Sequence, residues 1–443
     1  MVAGSVLAQV TKWQSVYVVG KKETLFGIAR QFGITMEELA EANPEITRPN
    51  YKLKKGSTLF IPYHREKAQE VQTPAPVALP QEAQTTEASD VRHRAIRLGV
   101  MLPLHDKNGD GRRMVEYYRG VLMACDSLKK QGLSVDVTAW NAAEDVDIST
   151  ILSDPKAARQ DLIIGPLYSR QVQKLSDFCQ QHHQLLVIPF SINAPQLYTN
   201  RSIFQVYQTQ TEQTEATVRQ FAQQFKDCHP VIVDCADTAS TKGTFTAALR
   251  RELEVRGIDY SLTSLSSSTA NFVNAFSKTK RNVVVLNSSR QQLLTSAFGK
   301  LSAVTLMEPS AQISVFGYTE WLIYASNHID NFYKYDVYIP STFYTNMLSS
   351  ATSRLMQKYR FNFHQEMMAT FPRFALTGFD HAYFFLKGLN KYGMEFDGAA
   401  GRFGYPPVQT PLRFERVGVG GFQNRTHLFV HYTPEHRVMV ENK

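Results

Sequence analysis

The chain has 443 residues, of which 43% are hydrophobic and 20% charged, and a formal net charge of +8. That length predicts two or three domains, and the composition is that of a folded globular protein. The positive charge suits anionic wall polymers or membrane surfaces, but no basic cluster interleaved with aromatics and no zinc-finger spacing accompanies it, which argues against nucleic acid as a partner, and no apolar run reaches the ~18–20 residues of a membrane span.

The first nine residues, MVAGSVLAQ, end with V-L-A before Gln9 in the manner of a secretory signal. Residues 1–12 are therefore read as a leader remnant or a disordered start, with no lipid-attachment cysteine near it. A compact unit is expected over 13–63. Val16 and Val18, and then Leu59 and Ile61, alternate as half-buried strands do. Leu25, Ile28, Ala29 and Phe32 recur at helical spacing, and Gly33 stops that helix. Thr35 with Glu38 has capping-box spacing, Met36, Leu39 and Ala40 give a second apolar helix face, and Asn43-Pro44 ends it. Lys55-Gly56 turns the chain into the last strand, which Pro62 closes. At ~46 residues without a cysteine staple, such a unit is near the lower limit for independent folding.

This order of strand, E-T-L, two short helices, N-P and L-x-x-G-x-x-L-x-I-P resembles the LysM module, a small βααβ fold that binds N-acetylglucosamine glycans, chiefly peptidoglycan. The resemblance implies a shallow sugar groove walled by two loops. The matching positions are Glu23, Thr24, Leu25 and Phe26 after the first strand, and Asn43, Pro44 and Ile46 (with Glu45) after the second helix. Loop N–H and C=O groups suit the N-acetyl amide, and Phe26 and Ile46 suit its methyl. Lys22 stands where the family usually has Gly. The module carries no arrangement of catalytic residues.

Residues 64–94 are rich in Pro, Ala, Gln, Thr and Glu and poor in large apolar groups. Such a stretch does not repay its ordering entropy and reads as a disordered linker. It would let the module hold the wall while the larger part moves.

From Ala95 strands and helices alternate. Strands are expected at 96–102, 135–139, 161–164 and 185–189, with helices at 115–130 and 172–182. A second series follows Tyr207: helix 212–225, strand 230–235, helix 242–256, strand 258–263, helix 270–279, strand 282–287, helix 290–299 and strand 312–317. Two more helices are expected near 342–358 and 380–389, and antiparallel strands from Leu412. Short continuous apolar strands between helices argue for parallel sheets covered on both faces. The segments I96-R-L-G-V-M-L-P-L104, E116-Y-Y-R-G-V-L-M-A124, I163-I-G-P-L-Y-S169, V187-I-P-F-S191 and T377-G-F-D-H-A382 resemble the type I periplasmic-binding-protein fold. That resemblance spans nearly all of 95–443, with one lobe over about 95–206 and 340–400 and the other over about 207–339 and 401–443. The expected class is thus α/β: a small βααβ LysM module, a linker, and a two-lobed domain with parallel sheets. A LysM module ahead of such a domain is similar to a group of Bacteroidetes-type cell-envelope proteins.

Ligands of that fold sit at strand C-terminal ends. The matching positions are Leu104, Tyr168, Ser169, Ser191, Asn193 and Tyr207 in the first lobe, and Asp237, Asn287, Tyr318 and Glu320 in the second. Ser169 and Ser191 keep the small hydroxyls that amino-acid binders use, but no Arg stands ready to clamp a carboxylate.

Other patterns carry less. D106-K-N-G-D-G111 matches half a calcium loop, but position 12 is Tyr117, so it reads as a turn. D234-C235 resembles the start of wall-cutting cysteine peptidases without their continuation or a nearby His. Cys125, Cys179, Cys228 and Cys235 fit neither a zinc site nor a disulfide framework. The ten aromatics between Phe316 and Tyr344 read as core or as a contact surface. These readings predict a non-enzymatic, cofactor-free envelope or periplasmic protein that binds peptidoglycan. Its two-lobed domain serves as an adaptor or sensor for a cell-wall-synthesis or other envelope protein, akin to the lipoprotein activators of penicillin-binding proteins. The rival reading is a periplasmic solute-binding protein for an amino acid or similar metabolite, with a wall hydrolase third.

Overall fold

The computed structural model describes residues 13–21, 23–47, 51–62, 90–399 and 406–442. The expected leader at 1–12 and most of the linker expected at 64–94 lie outside them. The chain divides into two compact units: residues 1–207 with 345–425, and residues 208–344 with 426–443.

In the front module, β1 (Trp13–Val18) pairs antiparallel with β2 (Thr58–Pro62), Tyr17 opposite Leu59 and Val18 opposite Thr58. Between them run α1 (Leu25–Gln31) and α2 (Met36–Ala42). Thr24 caps α1 by accepting the Gly27 N–H. Thr35 and Glu38 form the reciprocal capping box at the start of α2. Gly33 leaves α1 with φ +65°, a backbone conformation that other residues adopt at a cost. Ile28, Ala29, Ile34, Leu39, Leu59 and Ile61 make the module's own core.

The first unit also holds a seven-stranded sheet among the described residues. Its strands are β3 (Ile96–Leu102), β4 (Val135–Asn141), β5 (Leu162–Ile164), β6 (Leu185–Ile188), β7 (Ile203–Gln205), β13 (Phe414–Arg416) and β14 (Phe422–Asn424). In space the order is β13-β14-β7-β6-β5-β3-β4. All neighbours are parallel except β13 against β14. Helices α3 (Gly109–Lys129), α4 (Ile148–Leu152), α5 (Ser169–Gln181), α11 (Ser350–Phe363) and α12 (Phe374–Tyr392) belong to this unit. Helices α3 and α12 approach backbone to backbone: a Cβ at Gly120 would strike the Ala375 carbonyl, and one at Gly378 the Tyr117 carbonyl.

The second unit is built around β8 (His229–Asp234), β9 (Ser261–Ser264), β10 (Asn282–Leu286), β11 (Ile313–Phe316), β12 (Val337–Ser341), β15 (Leu428–Thr433) and β16 (Arg437–Asn442), in spatial order β16-β15-β12-β11-β10-β8-β9. The five strands from β9 to β12 run parallel, while β15 and β16 are antiparallel additions. Helices α6 (Gln210–Gln224), α7 (Lys242–Val255), α8 (Thr269–Val273), α9 (Gln291–Met307) and α10 (Ile329–Lys334) accompany them.

Two differences from the sequence expectations matter. Residues 406–425 return to the first unit, because β14 extends the first sheet beside β7; the tail expected to start the second lobe at 401 joins it only from 426. The aromatic run, read as core or as a contact surface, is mostly core: Phe316, Tyr318, Trp321, Phe332, Tyr335 and Tyr338 are buried. And the front module packs on the first lobe, where the expectation had the two parts moving independently. β1 packs against α3 and α11, and Ala42 and Phe60 join the hydrophobic cluster of the first lobe. Strand alternation explains this. Leu59 and Ile61 face the module's own helices, so Phe60 faces away and needs another cover.

Candidate functional site

The first of the two loops expected to wall a groove is braced by Glu23. Its carboxylate accepts the Tyr17 hydroxyl at 2.5 Å and the Gly20 N–H at 2.6 Å. Burial and the Glu23 carboxylate push the Tyr17 hydroxyl up to about 12. The Thr24 hydroxyl is engaged as the α1 cap, and Leu25 leans on the module core. Phe26 is 67% exposed.

The second loop rests on Asn43, which is fully buried. Its amide donates to the Leu39 carbonyl at 2.8 Å and the Phe60 carbonyl at 2.7 Å, and it accepts the Phe60 N–H at 2.7 Å. Pro44 opens a single 3-10 turn, Pro44–Thr47, and is exposed, while Ile46 packs partly on the core. The side chains of Glu23, Thr24 and Asn43 therefore shape the loops rather than reach out from them. Of the apolar residues expected in the groove, Phe26 and Pro44 are the exposed ones. Sequence reasoning missed Tyr17 and the edge-closing role of Asn43; the aromatic six residues before Glu23 was the available signal for the first.

In the first lobe, β5 and β6 are parallel neighbours, and their C-terminal ends bring Ser169 and Ser191 together with hydroxyls 2.8 Å apart. The Asn193 N–H donates to Ser191 Oγ at 3.3 Å, and the Asn193 side chain is exposed. Tyr168 precedes α5; burial, with the Asp110 and Glu144 carboxylates, raises its pKa. Tyr207 belongs to a different environment. It packs edge-on against Phe190 at 5.4 Å, and Phe190 in turn meets Tyr117 at 5.3 Å and Phe374 at 5.7 Å. Burial pushes the Tyr207 hydroxyl up to about 12. Leu104 is buried, its N–H bound by the Asn141 side chain.

In the second lobe, β8 lies between β9 and β10, so crossovers leave it in opposite directions, the arrangement that opens a crevice at strand ends. There Asp237 accepts from Ser288 at 2.7 Å and lies 3.4 Å from Arg290 Nε. Asn287 accepts the Cys235 N–H and donates to Asp234, both at 2.8 Å. The Tyr318 hydroxyl donates to the Leu286 carbonyl. Lys242, which the sequence did not single out, pairs with Glu320 at 2.7 Å and sits 4.8 Å above the Tyr318 ring. Its position in the first turn of the helix after β8 was the missing signal. Burial pushes the Cys235 thiol up to about 11, away from the thiolate a nucleophile needs.

Among the described residues no group of His, Cys, Asp and Glu is arranged to hold a metal. Asn108 caps α3 by accepting the Gly111 N–H, so the 106–111 segment is a helix-opening turn. All four cysteines are free thiols. No described helix is long and apolar enough to cross a membrane.

Residues 17–62 match the LysM domain family. Over the rest, the chain has a type I periplasmic-binding-protein-like fold. It is similar to a solved branched-chain amino acid ABC transporter protein from Rhodospirillum rubrum, at 16% identity, with 78% of this chain and 100% of that chain covered and a TM-score of 0.50. It is also similar to LpoA from Haemophilus influenzae, at 13% identity, with 79% of this chain and 59% of that chain covered and a TM-score of 0.50. At these identities the likeness carries the fold alone. No curated protein matches the chain.

Proposed function

We propose that the chain is a non-catalytic peptidoglycan-binding protein of the cell envelope, and that its two-lobed domain acts as an adaptor or sensor. The observation that carries the wall-binding reading is the LysM match over 17–62 with both of its loops built: Glu23 and Asn43 brace the backbone, and Phe26 and Pro44 are left outward. An N-acetylated sugar asks for an apolar platform, which the exposed Phe26 and Pro44 supply, and for loop N–H and C=O groups beside it.

The strand ends of the second lobe favour an adaptor over a solute carrier. In the second lobe Asp237 is held by Ser288 and Arg290, and Glu320 by Lys242, so these charges answer one another. A solute carrier for a zwitterion needs charges or donors held in reserve. The solute-carrier reading rests on the Ser169–Ser191 hydroxyl pair alone.

The test is co-sedimentation of the full chain with purified sacculi, with retained partners then identified. Retention that a Phe26→Ala variant loses supports the reading, and absence of retention overturns it. A thermal-shift screen with amino acids separates the two readings of the larger domain, because a ligand bound only by the folded state raises Tm.

A further inference from the structure

The two-stranded sheet of the module has two faces and only one of them is covered by its own helices. Leu59 and Ile61 point into that core, with Tyr17 paired opposite Leu59. On the other face Phe60 packs into the first lobe's cluster, Val18 lines a junction with α3 and α11, and the Thr58 hydroxyl is buried. A lone two-stranded sheet is marginal in water, and a unit of ~46 residues has little core to spare. Helices α3 and α11 supply the missing layer. At the junction Arg119 lies under Phe363 at 5.2 Å and donates to the Tyr359 hydroxyl at 3.1 Å, while Asn362 lines a cavity of about 60 Å³ beside Val18.

The buried face is wired to the second glycan loop. Ala42, the last residue of α2, is in the first lobe's cluster. The next residue is Asn43, whose amide closes on both backbone groups of Phe60. Residues 43–46 thus spring from a point fixed on one side by Ala42 and on the other by Phe60, and both of these anchors are seated on the lobe.

We propose that the first lobe is part of the glycan-binding machinery. Docking of the module on α3 and α11 holds the 43–46 loop in its sugar-ready form, and glycan binding in turn tightens the docking, since coupling between two sites is reciprocal. The interaction surface is α3 and α11, and its occupant is the module of the same chain. A wall-bound state then differs from a free state in how firmly these two parts are joined, which gives the larger domain a means of registering the wall. This inference rests on the glycan reading of the module.

The test is hydrogen exchange and chitotetraose affinity on the full chain, for wild type, for Phe60→Asp, and for Asn362→Trp, which overfills the junction from the lobe side without changing a residue of the module. Both variants are expected to raise exchange in residues 43–46 and in α11, and to weaken chitotetraose binding on the order of tenfold, within the usual range of site-to-site coupling. Saturating chitotetraose is expected to slow α11 exchange in the wild type. Unchanged exchange in both variants overturns the docking. Faster exchange with affinity held within about twofold overturns the coupling, since coupled sites move together. A wild type that binds neither chitotetraose nor sacculi sinks the glycan reading and the coupling with it, while the exchange data still report separately on docking.

Discussion

The side chain of Asn43 pairs with Phe60 as a neighbouring strand would, taking its N–H and giving to its C=O, each at 2.7 Å. It closes the free edge of a sheet that has only two strands, from a position seventeen residues away. Asn43→Leu keeps the volume and removes all three side-chain hydrogen bonds, taking this partner from the Phe60 N–H and C=O, while the Leu39 carbonyl keeps the Asn43 backbone N–H. The expected cost is about 2–3 kcal/mol. It should appear as faster amide exchange in the module and, through the docking, in α11, with the second lobe's exchange unchanged.

Phe26 makes the opposite kind of contribution. At 67% exposure it gives the fold little, so Phe26→Ala should leave Tm unchanged. If the ring is the sugar platform, the variant loses roughly five- to tenfold in chitotetraose affinity, the worth of one stacking or apolar contact. An equal affinity would move the binding surface elsewhere on the module.

Asp380 is a strong point of the first lobe that the motif around it did not explain. Its carboxylate accepts the backbone N–H groups of Val408, Gln409 and Thr410, at 2.9, 2.7 and 2.6 Å. One buried charge on α12 therefore pins the return segment that leads to β13 and β14. Asp380→Ala leaves three donors unanswered and should cost about 3 kcal/mol or more. Protease cutting near 406–412 should appear before cutting within β3 or α3.

The parts legible in the sequence were those set by short-range rules. The Thr35–Glu38 capping box, the Gly33 stop and the bounds of β3 all follow from local chemistry, and each is found where expected. What escaped was set by contacts far along the chain. The helix expected at 290–299 runs on to Met307, because its buried face continues through Leu301 and Val304 where no local stop signal stands. The helix expected from 342 begins only at Ser350, behind the Ser349 cap. Asn43 is expected in the groove from its match to the second loop of the LysM module, and its hydrogen bonds to Phe60, seventeen residues on, leave no local trace in the sequence. The docking of the module was invisible, since periodicity shows that Phe60 faces away from Leu59 and Ile61 and says nothing of what covers it.

The crossing of α3 and α12 should tolerate no added atoms. A methyl at Gly120 meets the Ala375 carbonyl, a backbone atom that cannot swing aside. Gly120→Ala removes an unfavourable helix glycine, worth up to ~1 kcal/mol in an open helix, but overpacking here should outweigh it and give a net loss of about 1–3 kcal/mol. Gly299, on α9 with open space around its Cβ direction, is the control: Gly299→Ala should stabilise.

His381 gives the first lobe a defined acid sensitivity. The ring is fully buried on α12, with Nδ1 2.9 Å from the Tyr117 hydroxyl, and burial lowers its pKa from an ordinary 6.5 to about 3. The folded state holds this imidazole neutral, whereas the unfolded chain protonates it below 6.5. As pH falls the unfolded state therefore binds the extra proton and is favoured. The contribution to stability is complete above pH 6.5 and is lost progressively between there and about 3. One such group can give a slope of at most about 1.4 kcal/mol per pH unit within that window. His381→Phe removes the titration. It should be less stable than wild type at neutral pH, through loss of the Tyr117 hydrogen bond, and should lose less stability on acidification. Urea unfolding of both proteins at several pH values, followed by a probe in the first lobe, measures the difference, in which the carboxylates common to both cancel. Parallel pH profiles would mean that the ring is already solvated in the folded protein, and that the Tyr117–His381 contact is made at a wet boundary rather than in the core.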